Sequence, residues 1–253
     1  MDCGKKFHGF QGFFNKKLDQ KKRRFFLAVF GEGKTKEITM KIINSSHKIL
    51  FPKTPAQWIN QAKLIELAGR TAYKSEDKIS ADSWENFIKM IAGKNHGAVL
   101  EFGSMTVKFI TDRGVSHELV RHRLASFLQE STRYCNYGND KFGKEITVIR
   151  PSDWDKWSET AKTCWKNGID HAETVYLTMI FNGATPQQAR SVLPNSLKTE
   201  INVKANFREW MHIFQLRAIS KAAHPDMRAL MIPLYEKCRE VLPCVFDLGE
   251  IQR

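Results

Sequence analysis

The chain has 253 residues, of which 42% are hydrophobic and 26% charged, a balance typical of a globular protein rather than a disordered one. No run of about 18 apolar residues occurs, so the sequence excludes a transmembrane helix. The formal net charge of +13 favours anionic partners such as nucleic acid, anionic lipid or phosphorylated small molecules.

Residues 1–39 differ in composition from the rest of the chain. Within residues 1–38, ten Lys and Arg accompany four acidic residues, and seven Phe occur without helical or alternating spacing. We expect a poorly ordered, basic, Phe-rich extension there, followed by a single domain over residues 40–253. The alternative is a basic-aromatic arm that touches nucleic acid or a membrane surface.

The cysteines and the first residues bear on the cellular compartment. The five cysteines are odd in number and form no CxxC pair, so neither a disulfide framework nor a metal site is expected. The N-terminal residues show no small-residue cleavage site after an apolar core, so they do not indicate a secretory signal. We therefore expect a cytoplasmic protein.

From residue 40 onward, hydrophobic spacing predicts alternating helices and strands. Thr54-Pro55 has the N-cap and first-position proline that begin a helix, and Thr185-Pro186 repeats the pattern. Val120, Leu124 and Phe127 recur at helical spacing. The predicted helices cover 82–92, 115–128, 152–181, 205–221 and 224–241, and the predicted strands cover 105–110, 146–149 and 196–203. Together they indicate one α+β domain with a mixed or antiparallel sheet packed against helices.

Cationic side chains concentrate in three places: residues 121–134, Arg190, and residues 206–217. A guanidinium group suits phosphate and the carbonyl edge of a pyrimidine. On the predicted helix, Arg121 and Arg123 point about 200° apart. They would therefore serve two ligands, or an interface with sites on both sides; a solvated basic helix end is the alternative. Neither GxGxxG nor a P-loop occurs, so a Rossmann-type nucleotide site is not indicated.

Four ordered blocks of sequence carry a family resemblance. Arg121-His122-Arg123 followed by Ser131 matches an RHR-x7-S signature, and Thr132-Arg133-Tyr134 continues it. Residues 68–75, 95–102 and 206–217 supply the other three blocks. Over about residues 40–245, the chain resembles the flavin-dependent thymidylate synthases (the ThyX family).

The resemblance implies a methyltransferase that makes dTMP from dUMP in de novo dTMP biosynthesis. It implies 5,10-methylenetetrahydrofolate as the carbon donor and a tightly bound FAD, reduced by NADPH, as the hydride source. It further implies a homotetramer with active sites between subunits, which would account for arginines that point in several directions. Neither nucleic acid nor a membrane is an expected partner.

The same resemblance assigns roles to individual residues. It implies that Arg217 is catalytic and stabilises the ionised N3 of the uracil. The implied FAD contacts are His96, Arg121, His122, Arg123, Gln129, Asn206, Arg208 and His212. The implied dUMP contacts are Glu118, Arg121, Gln129, Ser131, Thr132, Arg133, Arg190 and Arg217.

Two observations qualify the resemblance. Cys135 follows the signature, but the flavin family needs no thiolate, and Ser131 has no His–acid pair to activate it, so neither is expected to be a nucleophile. Ala98, Phe102 and Lys221 depart from residues common in the family, and we expect them to alter local contacts. Two other functions stay open. One is a basic nucleic-acid-binding protein that uses Arg121, Arg123 and Arg133; the other is a flavoprotein acting on another nucleotide.

Overall fold

A computed structural model describes residues 40–94 and 96–252; the expected extension over residues 1–39 lies outside them. The strands are β1 (Lys41–Ile43), β2 (Ser46–Phe51), β3 (Ser104–Asp112), β4 (Ser126–Gln129), β5 (Thr147–Ile149) and β6 (Lys198–Asn206). The helices are α1 (Pro55–Tyr73), α2 (Ser83–Gly93), α3 (Arg113–Leu119), α4 (Glu159–Phe181), α5 (Pro186–Ala189), α6 (Phe207–Phe214), α7 (Pro225–Val241) and α8 (Pro243–Phe246). The predicted α+β class is confirmed.

The larger sheet is antiparallel, with strand order β2-β3-β6-β4. Along β3 every second side chain is buried, and Phe109 lies opposite Ile201 of β6. Because side chains alternate across a strand, this register places the apolar residues of both strands on one face. That face packs against the helices, whereas the opposite face is more polar and only partly covered.

The main core is aromatic. Phe207 of α6 stacks on Trp58 of α1, with ring centroids 5.9 Å apart, and meets Phe246 of α8 edge to face at 5.1 Å. Trp210 is fully buried, and its indole N–H donates to the backbone oxygen of Met105 in β3 at 3.0 Å. This packing fixes α6 against the sheet, and α6 carries two of the predicted site residues, Arg208 and His212.

A second, smaller apolar cluster surrounds β1 and β5, which pair in parallel. Tyr176 of α4 is fully buried there, and its ring lies 5.8 Å from that of Tyr137. The backbone N–H of Ile146 donates to the buried carboxylate of Glu173 at 2.7 Å. None of the helices in the described part of the chain combines the length and apolar character that crossing a bilayer requires.

The structure confirms the helix starts that depend on local capping. Thr54 and Thr185 each form a capping box with a glutamine three residues later. The predicted helices over 82–92 and 224–241 and the predicted strands over 105–110, 146–149 and 196–203 also occur, with shifted ends. The helix predicted over 205–221 is α6 followed by a π-helical turn, Gln215–Ile219.

Two predicted helices are wrong in extent. The helix expected over 115–128 ends at Leu119, and the chain then turns and enters β4 at Ser126. Val120 and Leu124 are 41% and 77% exposed, so their helical spacing does not mark a buried face. The helix expected over 152–181 begins only at Glu159, where the side chain of Ser158 caps it.

Candidate active site

The Arg-His-Arg motif occupies a turn between α3 and β4 rather than a helix. The Arg121 and His122 N–H groups donate to the carbonyls of Glu118 and Leu119, and Ala125 N–H donates to the His122 carbonyl. These bonds form consecutive tight turns, which leave Arg121 and Arg123 exposed while the side chain between them is buried. The interpretation based on two arginines of a straight helix is therefore wrong.

The buried member of the motif, His122, is 5% exposed and enclosed by polar groups. Its Nε2 accepts a hydrogen bond from Nε of Arg217 at 3.2 Å, and its Nδ1 lies 3.5 Å from Oε1 of Glu209. The ring of His212 meets it edge on, with centroids 5.9 Å apart. The imidazole therefore connects the motif to α6 and to the π-helical turn that follows α6.

Arg217 lies in this π-helical turn and is held at two of its nitrogens. In addition to its bond to His122, its Nη1 donates to Oε2 of Glu118 at 3.0 Å. The Arg217 side chain is 20% exposed and that of Glu118 33%. The guanidinium group is therefore oriented from two directions while part of it stays accessible.

Burial and charge keep this cluster in a defined protonation state. Burial, together with the nearby charges of Arg217 and His212, lowers the pKa of His122 to about 4. His122 is therefore neutral near pH 7. Burial also raises the pKa of Glu209, and His212 opposes that rise.

Three of the residues assigned to FAD, Asn206, Arg208 and His212, lie in α6 or at its N-cap, and His96 precedes Gly97, which approaches Arg208. Nδ1 of His96 lies 2.8 Å from the Tyr73 hydroxyl, and the two rings stack with centroids 6.4 Å apart. Arg208 pairs with Glu101 at 2.7 Å, and a Cβ on Gly97 would come within 3.1 Å of its Nε. The chain therefore passes close beneath the Arg208 guanidinium.

Asn206 also has a structural role. It is the N-cap of α6, and its side-chain oxygen accepts from the Glu209 N–H at 2.8 Å. This oxygen satisfies one of the backbone donors left free at the helix start. The assignment of Asn206 to FAD stays a prediction.

Four of the residues assigned to dUMP, Gln129, Ser131, Thr132 and Arg133, lie at the end of β4 and in the turn after it. Nε2 of Gln129 donates to the Ser116 hydroxyl at 2.9 Å and to that of Thr199 at 3.1 Å. The Ser131 hydroxyl accepts from the Arg133 N–H at 3.3 Å. These contacts order the strand and the turn that present the hydroxyl and guanidinium groups.

Thr132 connects this segment to the turn after α5. It is 6% exposed, and its hydroxyl accepts from Nη1 of Arg190 at 3.5 Å. Arg133 is exposed, and its guanidinium carbon lies 5.4 Å from the centroid of the Tyr134 ring.

The structure thus arranges ten of the predicted residues as three groups. The first comprises Glu118, His122, His212 and Arg217; the second comprises His96 and Arg208; the third comprises Ser131, Thr132, Arg133 and Arg190. Arg121 and Arg123 lie in the turn that holds His122.

Sequence reasoning missed Glu209, Tyr73 and Glu101. The spacing of Asn206 and Glu209 predicts a helix cap. It does not predict that the glutamate faces a histidine 87 residues earlier, since that contact depends on tertiary packing.

Cys135 is half-buried, and burial together with the charge of Glu130 raises the pKa of its thiol. A raised pKa disfavours the thiolate, as expected for a cysteine that is not a nucleophile.

This fold has a close counterpart among solved structures. The chain superimposes with a TM-score of 0.66 on a UMP/dUMP methylase, PolB from Streptomyces cacaoi, whose crystal structure contains 5-Br dUMP. The match covers 82% of this chain and 96% of PolB, at 19% sequence identity. The two proteins therefore share an α+β fold.

Sequence comparison identifies the family. The family described as thymidylate synthase complementing protein matches residues 56–244. The flavin-dependent thymidylate synthase of Geobacter sulfurreducens is 32% identical over 194 residues, which cover 73% of this chain and 81% of the relative. That of Pyrococcus furiosus is 33% identical over 173 residues, covering 68% and 70%. The chain belongs to this family of thymidylate synthase complementing proteins, and the predicted resemblance is confirmed.

Proposed function

We propose that this chain is a flavin-dependent thymidylate synthase, a methyltransferase that converts dUMP to dTMP. The observation that carries the proposal is the orientation of Arg217 by Glu118 and His122, beside a turn with two exposed arginines. Family membership and the names of the relatives support the same reaction. 5,10-Methylenetetrahydrofolate would supply the carbon, and NADPH would be the reductant.

The residues assigned to FAD have the chemistry that this cofactor requires. Arg121, Arg123 and Arg208 are exposed guanidinium groups, which donate two parallel hydrogen bonds to a phosphate. Gly97 leaves backbone next to Arg208 where a side chain would crowd it. The donors therefore fit a diphosphate-bearing cofactor. The proposed contacts are His96, Arg121, His122, Arg123, Gln129, Asn206, Arg208 and His212.

When bound and reduced, the flavin supplies a hydride. The contribution of this chain would be to bind and orient the flavin and the substrate and to exclude water from the site. The buried His122 cannot turn toward a ligand without leaving Arg217, so its contribution to the flavin site would come through its ring edge or through the arginine it holds.

The dUMP site would combine Glu118 and Arg217 of the first group with the third group of residues. Arg133 and Arg190 are exposed guanidinium groups beside the Ser131 and Thr132 hydroxyls, a set suited to a phosphate. Glu118, Arg121, Gln129 and Arg217 complete the proposed contacts.

Arg217 would act on the uracil ring itself. C5 of a uracil is a weak nucleophile, and negative charge on the ring makes it attack more readily. Because a guanidinium group stays protonated, Arg217 beside N3 would stabilise that charge where it develops. Its bonds to Glu118 and His122 orient it before substrate binds, so little reorganisation is needed during the reaction.

Assembly into a homotetramer, with sites between subunits, is part of this proposal. Leu124 and Leu128 are 77% and 74% exposed in and next to the Arg-His-Arg turn, and Leu216, beside Arg217, is 45% exposed. Exposed apolar residues around a polar site favour contact with another protein surface. A second subunit would cover them and bring additional guanidinium groups to the site. We further propose that the enzyme works in the cytoplasm.

Two measurements on the purified protein test the function. Bound FAD should give a flavin absorption spectrum, either directly or after reconstitution. Tritium should be released from dUMP labelled at C5 only when methylenetetrahydrofolate and NADPH are both present, and reactions that omit one of them are the controls. Protein that stays colourless after incubation with FAD would overturn the proposal. Flavin-containing protein that is inactive on dUMP would indicate another nucleotide substrate.

A further inference from the structure

A buried carboxylate lies on the far side of His122 from Arg217. Glu209 is 6% exposed in the first turn of α6, and its Oε1 lies 3.5 Å from Nδ1 of His122. Its backbone N–H is fixed by the Asn206 cap at 2.8 Å. A carboxylate is costly to bury unless a polar partner faces it, and here the imidazole faces it.

The direction of the hydrogen bonds determines where His122 carries its proton. Arg217 can only donate, so Nε2 of His122 must be an unprotonated acceptor. Since the neutral ring carries one proton, that proton lies on Nδ1, the nitrogen that faces Glu209. Burial and the positive charge of Arg217 keep the pKa of His122 near 4, so the neutral ring persists near neutral pH.

Four side chains therefore form a series: Glu209, His122, Arg217 and Glu118. Glu118 fixes Nη1 of Arg217, and His122 fixes Nε. If His122 carried its proton on Nε2 instead, two N–H groups would face each other and Arg217 would lose this support. An acceptor beside Nδ1 prevents that arrangement, because it favours the proton on Nδ1.

We propose that Glu209 is a positioning residue, which orients Arg217 for the substrate uracil by fixing the His122 tautomer. This inference rests on the proposed function of Arg217 but assigns a role to a residue that is not among the contacts predicted from the resemblance. Glu209 touches neither substrate nor cofactor in this role, and its effect passes entirely through His122 and Arg217.

A double-mutant cycle measures this dependence. The dissociation constant of dUMP is measured by equilibrium dialysis on flavin-loaded enzyme for Glu209→Met, Arg217→Ala and the double variant. Glu209→Met should weaken dUMP binding about tenfold, because the Arg217 guanidinium group would no longer be held in place by His122. In the Arg217→Ala background the same change should have no further effect. Equal losses in both backgrounds would refute the positioning role.

Two variants separate positioning from general loss of stability. Glu209→Gln keeps an oxygen that can accept from Nδ1, and dUMP affinity should stay within about threefold of the unaltered enzyme. Glu173→Gln alters a carboxylate of α4 that is buried to a similar extent, at 5%, and that accepts from the Ile146 N–H. It should lower the stability without changing dUMP affinity, and a loss of affinity in Glu173→Gln matching that of Glu209→Met would contradict the proposal.

A substrate-free measurement separates this inference from the proposed function. In protein labelled with ¹⁵N-histidine, the Nδ1 proton of His122 should give a resonance that disappears in His122→Gln. This resonance should shift or vanish in Glu209→Met. An unchanged resonance would refute the inference even if the enzyme makes dTMP. A shifted resonance in a protein that does not bind dUMP would instead support the link from Glu209 to His122 and refute the proposed reaction.

Discussion

Nε of Arg217 donates to Nε2 of His122 at 3.2 Å, across 95 residues of sequence. This contact joins the centre of the Arg-His-Arg turn to the arginine assigned to the uracil. The motif thus combines two structural features: its arginines are exposed, and its buried histidine orients a third arginine.

Replacement of Arg217 by Lys tests the catalytic assignment. A lysine keeps the charge but cannot direct separate nitrogens to Glu118 and His122, as the guanidinium does. We expect dTMP formation to fall by a factor on the order of 10²–10³, as for loss of one preorganised donor, while FAD stays bound. Tritium release and the flavin spectrum measure the two quantities, and unchanged turnover would rule out the assigned role.

The lowered pKa of His122 predicts a pH dependence of stability. As the pH falls from 6.5 towards 4, the unfolded chain takes up a proton that the folded chain does not. The free energy of unfolding should therefore decrease over this range because of His122, by about 3 kcal/mol, and His122 should contribute no further decrease below it. Urea unfolding from pH 4 to 8 measures the effect. His122→Gln should show a flatter curve in this range, and parallel curves would contradict the explanation.

Two glycine substitutions distinguish the Arg208 site from the core. A Cβ on Gly97 would lie 3.1 Å from Nε of Arg208, whereas a Cβ on Gly103 would lie 2.5 Å from the Phe207 ring. Because Arg208 is exposed and can move, Gly97→Ala should weaken FAD binding with little loss of stability. Gly103→Ala should destabilise the fold by about 1–3 kcal/mol through overpacking. FAD titration and thermal unfolding test both, and equal destabilisation by the two variants would contradict this distinction.

Variants of Asn206 distinguish its role as the N-cap of α6 from a contact with FAD. Asn206→Ala removes the cap of α6 and should cost about 1 kcal/mol of unfolding free energy, whereas Asn206→Asp keeps an acceptor and should cost less. If Asn206 also contacts FAD through its amide, Asn206→Asp should weaken FAD binding despite the preserved cap. Unfolding curves and FAD titrations of both variants separate these effects, and full FAD affinity in Asn206→Asp would limit the residue to its role in the helix.

Local signals made much of the fold predictable. Thr54-Pro55 and Thr185-Pro186 mark helix starts because the cap and the proline act within one turn. The alternation in β3 is regular because one face of the sheet is buried. By contrast, the spacing predicts a helix over 115–128, which includes the first three residues of β4. The pairing of β4 with β6, with Phe127 opposite Val203, depends on residues about 75 positions away and outweighs the local helical spacing.

The candidate site was predictable in composition but not in arrangement. The family resemblance singled out Arg217 and His122, and the structure places them in direct contact. Neither the burial of His122 nor its proximity to Glu209 follows from spacing along the chain, because both depend on how α6 packs against the turn before β4.

The main-chain geometry of residues 215–219 sets the direction of Arg217. There the Ser220 N–H bonds to the carbonyl of Gln215, five residues earlier, instead of the four of an α-helix. Each helical residue changes the side-chain direction by about 100°. Loss of a single residue that restored regular winding would therefore swing the guanidinium away from both of its supports, although every side chain of the site would still be present. The number of residues in this turn is thus as important to the site as the charge of Arg217.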